Sequence, residues 1–306
     1  MKFSNMVRTH WAAFRALLVL TVVTGIAYPL FIWVVAQLPG LRDNANGSII
    51  EVGGKAVGSS LIGQLFTDSD GNPLPQYFQG RPSVAGDGYD PMATSASNLG
   101  PESIIDTPGD PSLPEDDAGN PAGYRASLLT LVCGRSHAAA ALEGVDGSRP
   151  FCTDDGVGAV LSVIGTRDAG GNVVNPTRVV SVNEPCETNP IPFLERYEGV
   201  RVECAAFGED YSIGQIVPIR GAAPHSPVVP ADAVTASASG LDPHISPAFA
   251  ELQVKRVARA RGVTPEQVID LIAAHREERT LGILGEARVN VLALNVALDE
   301  MYPATS

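Results

Sequence analysis

The chain has 306 residues, 44% of them hydrophobic, which suits one or two packed domains and excludes a disordered, collagen-like or mini-protein chain. Acidic residues outnumber basic ones 34 to 21, for a formal charge of -13, and Lys2, Lys55 and Lys255 are the only lysines. A nucleic-acid binder is thereby disfavoured, because neutralising phosphates requires a basic face.

Residues 16–41 form a run of 26 without a charge. A helix rising about 1.5 Å per residue crosses the roughly 30 Å hydrocarbon layer in about 20 apolar residues, so a transmembrane helix is predicted over residues 16–38. Leu17 lies near its start, Tyr28 and Pro29 fall mid-span and Trp33 near its end, with Trp11 just ahead of it. Pro29 removes a backbone donor, so a kink is expected there, covered by a partner in the membrane. A cleaved signal peptide is the competing reading, but its apolar region usually runs about 7–15 residues, and Leu38-Pro39-Gly40 is a poor cleavage site. Lys2, Arg8 and Arg15 precede the span and Arg42 follows it, so the positive-inside rule places residues 1–15 in the cytoplasm. The bulk, from residue 39, is then expected outside a single-pass cell membrane protein.

Beyond the span, Ile49–Val52 and residues 55–58 flank Gly53-Gly54, a turn pair that permits positive φ and predicts a hairpin. Residues 77–101 are dense in proline, glycine, serine and asparagine, with Tyr77, Phe78 and Tyr89 as aromatic anchors for a loop. Residues 39–101 are read as the first part of an extracytoplasmic core. Residues 102–229 are read as an acidic inserted region carrying Cys133, Cys152, Cys186 and Cys204. Its β-rich runs are 157–164, 177–182, 200–206 and 213–219. The cysteines lack the close pairs of a zinc site, so two disulfides are expected, in any of three pairings.

Residues 230–306 turn helical. Pro247–Arg261 is a predicted helix with Phe249, Leu252, Arg256 and Arg259 among small residues, opened by Ser246 and stopped by Gly262. Thr264, Pro265 and Gln267 form a predicted capping box ahead of Val268, Leu271 and Ile272. Residues 281–285 are a glycine-bounded turn, and residues 287–300 a last helix with Val289, Leu292 and Val296 inward. The fold class is α+β, with one N-terminal transmembrane helix.

No phosphate loop, no dinucleotide-binding glycine motif, no H-E-x-x-H and no phosphorylation sequence Asp-Lys-Thr-Gly is present. No metal site is suggested. Thr235, Ser237, Ser239, Gly240, Asp242 and His244 lie within ten residues, which raises the alternative of a membrane-anchored extracytoplasmic serine hydrolase. That chemistry needs converged groups and an oxyanion hole, and no nucleophile elbow occurs. The simpler reading is that short polar side chains bond their own backbone and cap the helix that follows. Arg81 is read as a salt-bridging or carbonyl-binding residue, or as a partner contact.

The anchor, followed by Gly58-Ser59-Ser60-Leu61-Ile62-Gly63-Gln64, Tyr77-Phe78-Gln79-Gly80-Arg81-Pro82-Ser83 and Ser97-Asn98-Leu99-Gly100-Pro101, resembles the C subunit of the Kdp potassium-transporting ATPase. Further similar stretches are Val234 through Pro247, Gln253-Val254, Arg256-Val257-Ala258, Arg279-Thr280-Leu281-Gly282 and Arg288-Val289-Asn290-Val291-Leu292. Ala238 departs from the glycine usual in that family, and residues 102–229 stand where a short helical connection is ordinary. The resemblance implies a non-catalytic subunit that raises the ATP affinity of the pump. Its implied partners are a channel-like potassium-binding subunit, a P-type ATP-hydrolysing subunit and a small single-span subunit, in a complex that uses ATP, Mg and K. Tyr77, Arg81, Asn98, Ser237, Ser239, Asp242, His244 and Gln253 are the expected partner contacts, and no cofactor is assigned to this chain itself.

Overall fold

A computed structural model describes residues 3–86, 88–92, 97–115, 119–187 and 189–304, a mixed helix-and-sheet chain with two compact units meeting between Leu61 and Ile62 in sequence. Lys2 lies outside the described residues, as do residues 87 and 93–96 of the 77–101 loop.

The first unit opens with α1 (Phe3–Val22), which passes through a π-helical turn at Val23–Ala27 into α2 (Tyr28–Ala36). The continuous helix is 34 residues long, with a window of mean hydropathy 2.2 of which nothing is buried. At 1.5 Å per residue it is about 51 Å long, more than a hydrocarbon layer requires. It begins thirteen residues before the predicted position 16, because Arg8 and Arg15 end the uncharged run without ending the helix, arginine being a good helix former. It ends at Ala36, short of residue 38, where Pro39 disfavours helical geometry at Leu38. Pro29 is absorbed by the widened turn: the Tyr28 N–H donates to the Val23 carbonyl, five residues back. This shift relieves the collision between the proline ring and the carbonyl of Gly25. After the short α3 (Arg42–Ala45), β1 (Ile49–Val52) and β2 (Lys55–Ser59) form the predicted hairpin, with Gly53 and Gly54 at φ +58° and +77°.

In the second unit α4 (Leu128–Glu143) precedes a five-stranded sheet of β3 (Val160–Arg167), β4 (Val173–Pro185), β5 (Arg196–Tyr197), β6 (Val200–Ala205) and β7 (Gln215–Pro218). The strand order is β5-β6-β4-β3-β7; β4 and β6 run parallel and the other neighbours antiparallel. Four of these strands overlap the four β-rich runs read from the sequence. Leu161, Val163, Val179 and Val202 form the sheet's apolar cluster. Disulfides join Cys133 to Cys152 and Cys186 to Cys204, one of the three pairings left open. Helix α4 was not among the predicted elements. Its cues are Ser127, whose hydroxyl accepts from the Thr130 N–H, and Gly144, which closes it at φ +67°.

The chain then forms β8 (His244–Ile245), α5 (Pro247–Arg261), α6 (Pro265–Ala274), β9 (Arg276–Glu277), β10 (Arg288–Asn290) and α7 (Val291–Met301). Helix α5 has its predicted limits, although Arg259 is exposed, and the Thr264–Gln267 capping box is reciprocal. Helix α7 starts at Val291 instead of residue 287, because residues 288–290 pair with β8 and β9 and the Asn290 side chain then caps the helix. Phe78, Ala140, Val234, Ile245, Phe249, Val257, Leu271 and Leu294 share one core, so α4 packs into the same interior as the C-terminal helices.

Glu184, at the end of β4, is 1% exposed. Its carboxylate accepts from Ser181 Oγ at 2.7 Å, the Phe193 N–H at 3.0 Å and Asn189 Nδ2 at 3.1 Å, with no cation among these partners. Burial raises its pKa above the ordinary 4.5, and the nearby Asp155 adds to the rise. A carboxyl whose folded pKa is raised gives stability that is present below its ordinary value and is lost as pH climbs through the raised one. Glu184→Gln is therefore expected to flatten the fall of Tm as pH climbs above the ordinary 4.5, measured by thermal melts from acid towards neutral pH. Parallel curves for the two proteins would contradict this account.

Candidate functional site

The segment 75–79 has no strand partner, and its backbone is held by side chains from the helices beneath it. Gln253 of α5, fully buried, accepts the Gln79 N–H at 2.7 Å and donates to the Gln79 carbonyl at 3.1 Å. Asn295 of α7, 1% exposed, treats Phe78 in the same way, with both bonds at 2.9 Å. Each primary amide thus replaces one rung of a missing strand.

Arginines complete the arrangement. Arg256 Nη1 donates to the carbonyls of Pro75 and Tyr77, both at 2.8 Å, while its Nε meets Glu143 of α4 at 3.0 Å and its Nη2 reaches Gln253 Oε1 at 2.8 Å. Arg261 Nε donates to the Gln76 carbonyl at 2.9 Å, and its guanidinium lies 4.8 Å from the Tyr77 ring centre and pairs with Asp299 at 2.7 Å. The Tyr77 hydroxyl donates to the same Asp299. Five successive carbonyls, from Pro75 to Gln79, thereby receive side-chain donors. Burial pushes the Glu143 carboxyl upward and Arg256 opposes that shift.

Next to this clamp, Arg81 reaches the loop at 235–244: Nη1 pairs with Asp242 at 2.7 Å, while Nε and Nη2 donate to the Thr235 carbonyl at 3.2 and 3.0 Å. Ser237 exchanges backbone bonds with both sides of Ser83, its N–H donating to Pro82 and its carbonyl accepting from Val84. The Asp90 N–H donates to Ser239 and the Gly63 N–H to Leu241. Gly240 sits at φ +76°, where an added Cβ would lie 2.2 Å from the Gly88 carbonyl oxygen. Only glycine permits this approach.

The groups of the hydrolase reading do not form a relay here. Asp242 Oδ1 accepts from the backbone N–H of His244 rather than from its ring, and Ser237 Oγ accepts from the Gly240 N–H. Burial, with Arg288 nearby, pushes the His244 imidazole below its ordinary range. Among the described residues no cluster of His, Cys, Asp or Glu is arranged to hold a metal ion.

The expected contact residues consequently separate. Gln253 is buried with its side chain bonded to the Gln79 backbone, and Ser239 is 8% exposed with its carbonyl accepting the Asp90 N–H. Arg81 and Asp242 are partly exposed but paired to each other, and Asn98 is exposed. Asn295, Arg261 and Glu143 were not singled out from the sequence. Their signal is polarity on the inward faces of helices, at positions where apolar residues are usual.

The uncovered N-terminal helix, long and apolar enough to cross a membrane, joined to a unit whose polar interior is engaged in bracing loops, fits the class of membrane-associated proteins. The family model described as K+-transporting ATPase, c chain, matches residues 10–105 and 215–300, and the chain belongs to this KdpC family. The potassium-transporting ATPase KdpC subunit of Kineococcus radiotolerans is 33% identical over 300 residues, covering 98% of this chain and 97% of that protein. The corresponding subunits of Myxococcus xanthus and Streptomyces coelicolor are each 35% identical, covering 97% of this chain and 90% and 95% of theirs. The family model thus leaves residues 106–214 unmatched, while relatives of similar length align across nearly the whole chain.

Proposed function

We propose that the chain is the non-catalytic accessory subunit of a high-affinity, ATP-driven potassium uptake complex, stabilising the assembly and raising the ATP affinity of the P-type pump subunit. The observation that carries this reading is the 34-residue helix, uncharged from residue 16 onward and with nothing packed over it, in a chain of the KdpC family. A helix of this kind is stable in lipid or against other apolar helices and unstable in water. The channel-like, P-type and small single-span subunits are the partners, and ATP, Mg and K are used by the complex without being assigned to this chain.

In this reading the helix crosses the cell membrane once, with residues 1–15 cytoplasmic and residues from 39 onward outside. The large domain then cannot reach cytoplasmic nucleotide, so its effect on ATP affinity travels through the anchor and the channel-like subunit. The braced loops carrying Tyr77, Arg81, Asn98, Ser237, Asp242 and His244 supply the contacts, since loops on a rigid base are the usual recognition elements. Protease added to right-side-out spheroplasts should digest the bulk of the chain and leave a membrane-protected N-terminal fragment. The purified complex lacking this subunit should show a raised KM for ATP. Full protection of the outer domain would overturn the topology, and an unchanged KM would overturn the proposed role.

A further inference from the structure

The inserted region holds a cavity of about 440 Å³ between residues 105–111 and 119–124, the end of β4 and the segment after β6. That volume lies in the range of small-molecule sites, roughly 300–1,000 Å³. Its wall is largely apolar, with Tyr124, Tyr211 and Phe207 among prolines and valines. Among the described residues every charged one on it is a carboxylate: Asp106, Glu184, Glu187, Glu209 and Asp210. Such a wall repels a nucleotide triphosphate and attracts a cation.

The distribution of these carboxylates decides the kind of cation. Asp106 and Glu184 are buried and already bonded, Asp106 to the Ser127 N–H at 2.8 Å and the Tyr124 hydroxyl at 3.0 Å. Glu187, Glu209 and Asp210 are the exposed members. Among the described residues no three such groups converge as ligands to a metal ion would. Separated anionic points joined by apolar and aromatic surface suit a molecule whose positive charges are spaced along methylenes, the stems lying on the wall and the ammonium groups at the carboxylates and ring faces. Two wall residues already hold a cation of the chain itself, since Arg178, which is not on the wall, pairs with Glu209 at 2.8 Å and has its guanidinium carbon 5.8 Å from the Tyr211 ring centre, so Glu187 and Asp210 are the carboxylates left for a ligand.

We propose that this cavity is a binding site for an aliphatic polyamine. The test is isothermal titration of the full chain in detergent micelles with spermidine as the probe. One saturable site is expected, weakened about tenfold or more in Glu187→Gln/Asp210→Asn, the cost of losing charge-assisted bonds. Both positions are exposed, so the thermal midpoint of the double variant serves as the control for folding. Absence of saturable heat, or equal affinity in the well-folded double variant, would overturn the proposal. So would equal displacement of spermidine by Mg2+ at matched ionic strength, or tighter binding of the peptide Ac-Gly-Arg-Gly-NH2, which would mark a polypeptide contact. None of these outcomes bears on the membrane topology, so this inference and the proposed function fail separately.

Discussion

Replacing Arg256 with alanine is expected to cost the second unit about 3–5 kcal/mol of stability, the loss typical when one partner of a buried ion pair is removed. Its guanidinium serves Glu143, Gln253 and the carbonyls of Pro75 and Tyr77 at once, and the Arg256 and Glu143 side chains are only 8% and 2% exposed. Alanine would strand a buried carboxylate and the Pro75 carbonyl, and leave the Tyr77 carbonyl with only a 3.4 Å bond from Gln79 Nε2. For a unit of this size the loss corresponds to a fall in Tm of about 6–20 °C. Arg256→Ala/Glu143→Leu should recover part of it, because the uncompensated charge is gone, but not all, since the Pro75 carbonyl still lacks its donor and the Tyr77 carbonyl keeps only the 3.4 Å bond from Gln79 Nε2. A single-variant loss below about 1 kcal/mol, measured by denaturant titration, would show that the clamp does not brace the 75–79 segment.

The second large effect is expected from the disulfides. Cys133–Cys152 and Cys186–Cys204 close loops of 19 and 18 residues in sequence separation. Restricting loops of that length in the unfolded chain stabilises the fold by about 3 kcal/mol each. Cys133→Ser/Cys152→Ser should therefore lower Tm by roughly 6–12 °C. The first bridge ties α4, and through it the main core, to the segment leading into β3, so its loss should also loosen the contact between Glu143 and Arg256. Peptide mapping under non-reducing conditions gives the direct check: a fragment linking Cys133 to Cys186 or Cys204 would refute the pairing. Reduction that leaves the melting curve unmoved would refute the energetic argument.

Sequence alone determined the elements whose causes are local. The uncharged run required an apolar helix, Gly53-Gly54 required a tight turn, and Ser246, Thr264 and Gln267 announced helix starts through bonds that span three residues. The residues of the KdpC motifs were also legible as a set. Their roles were not, because Gln253 and Gln79 lie 174 positions apart and Asn295 and Phe78 lie 217 apart. Nothing in a linear pattern says which buried amide will complete which strandless backbone. Helix α4 escaped for a related reason: its one buried face is made of Thr130, Cys133, Ser136, Ala140 and Glu143 while its exposed side includes Ala138 and Ala141, so Leu128–Glu143 carries no hydrophobic stripe. The cysteine pairing and the register that puts Arg81 against Asp242 were likewise settled only when distant segments packed. Local bonding and hydropathy act along the chain, whereas satisfying every buried polar group is a condition that only the closed tertiary structure can meet.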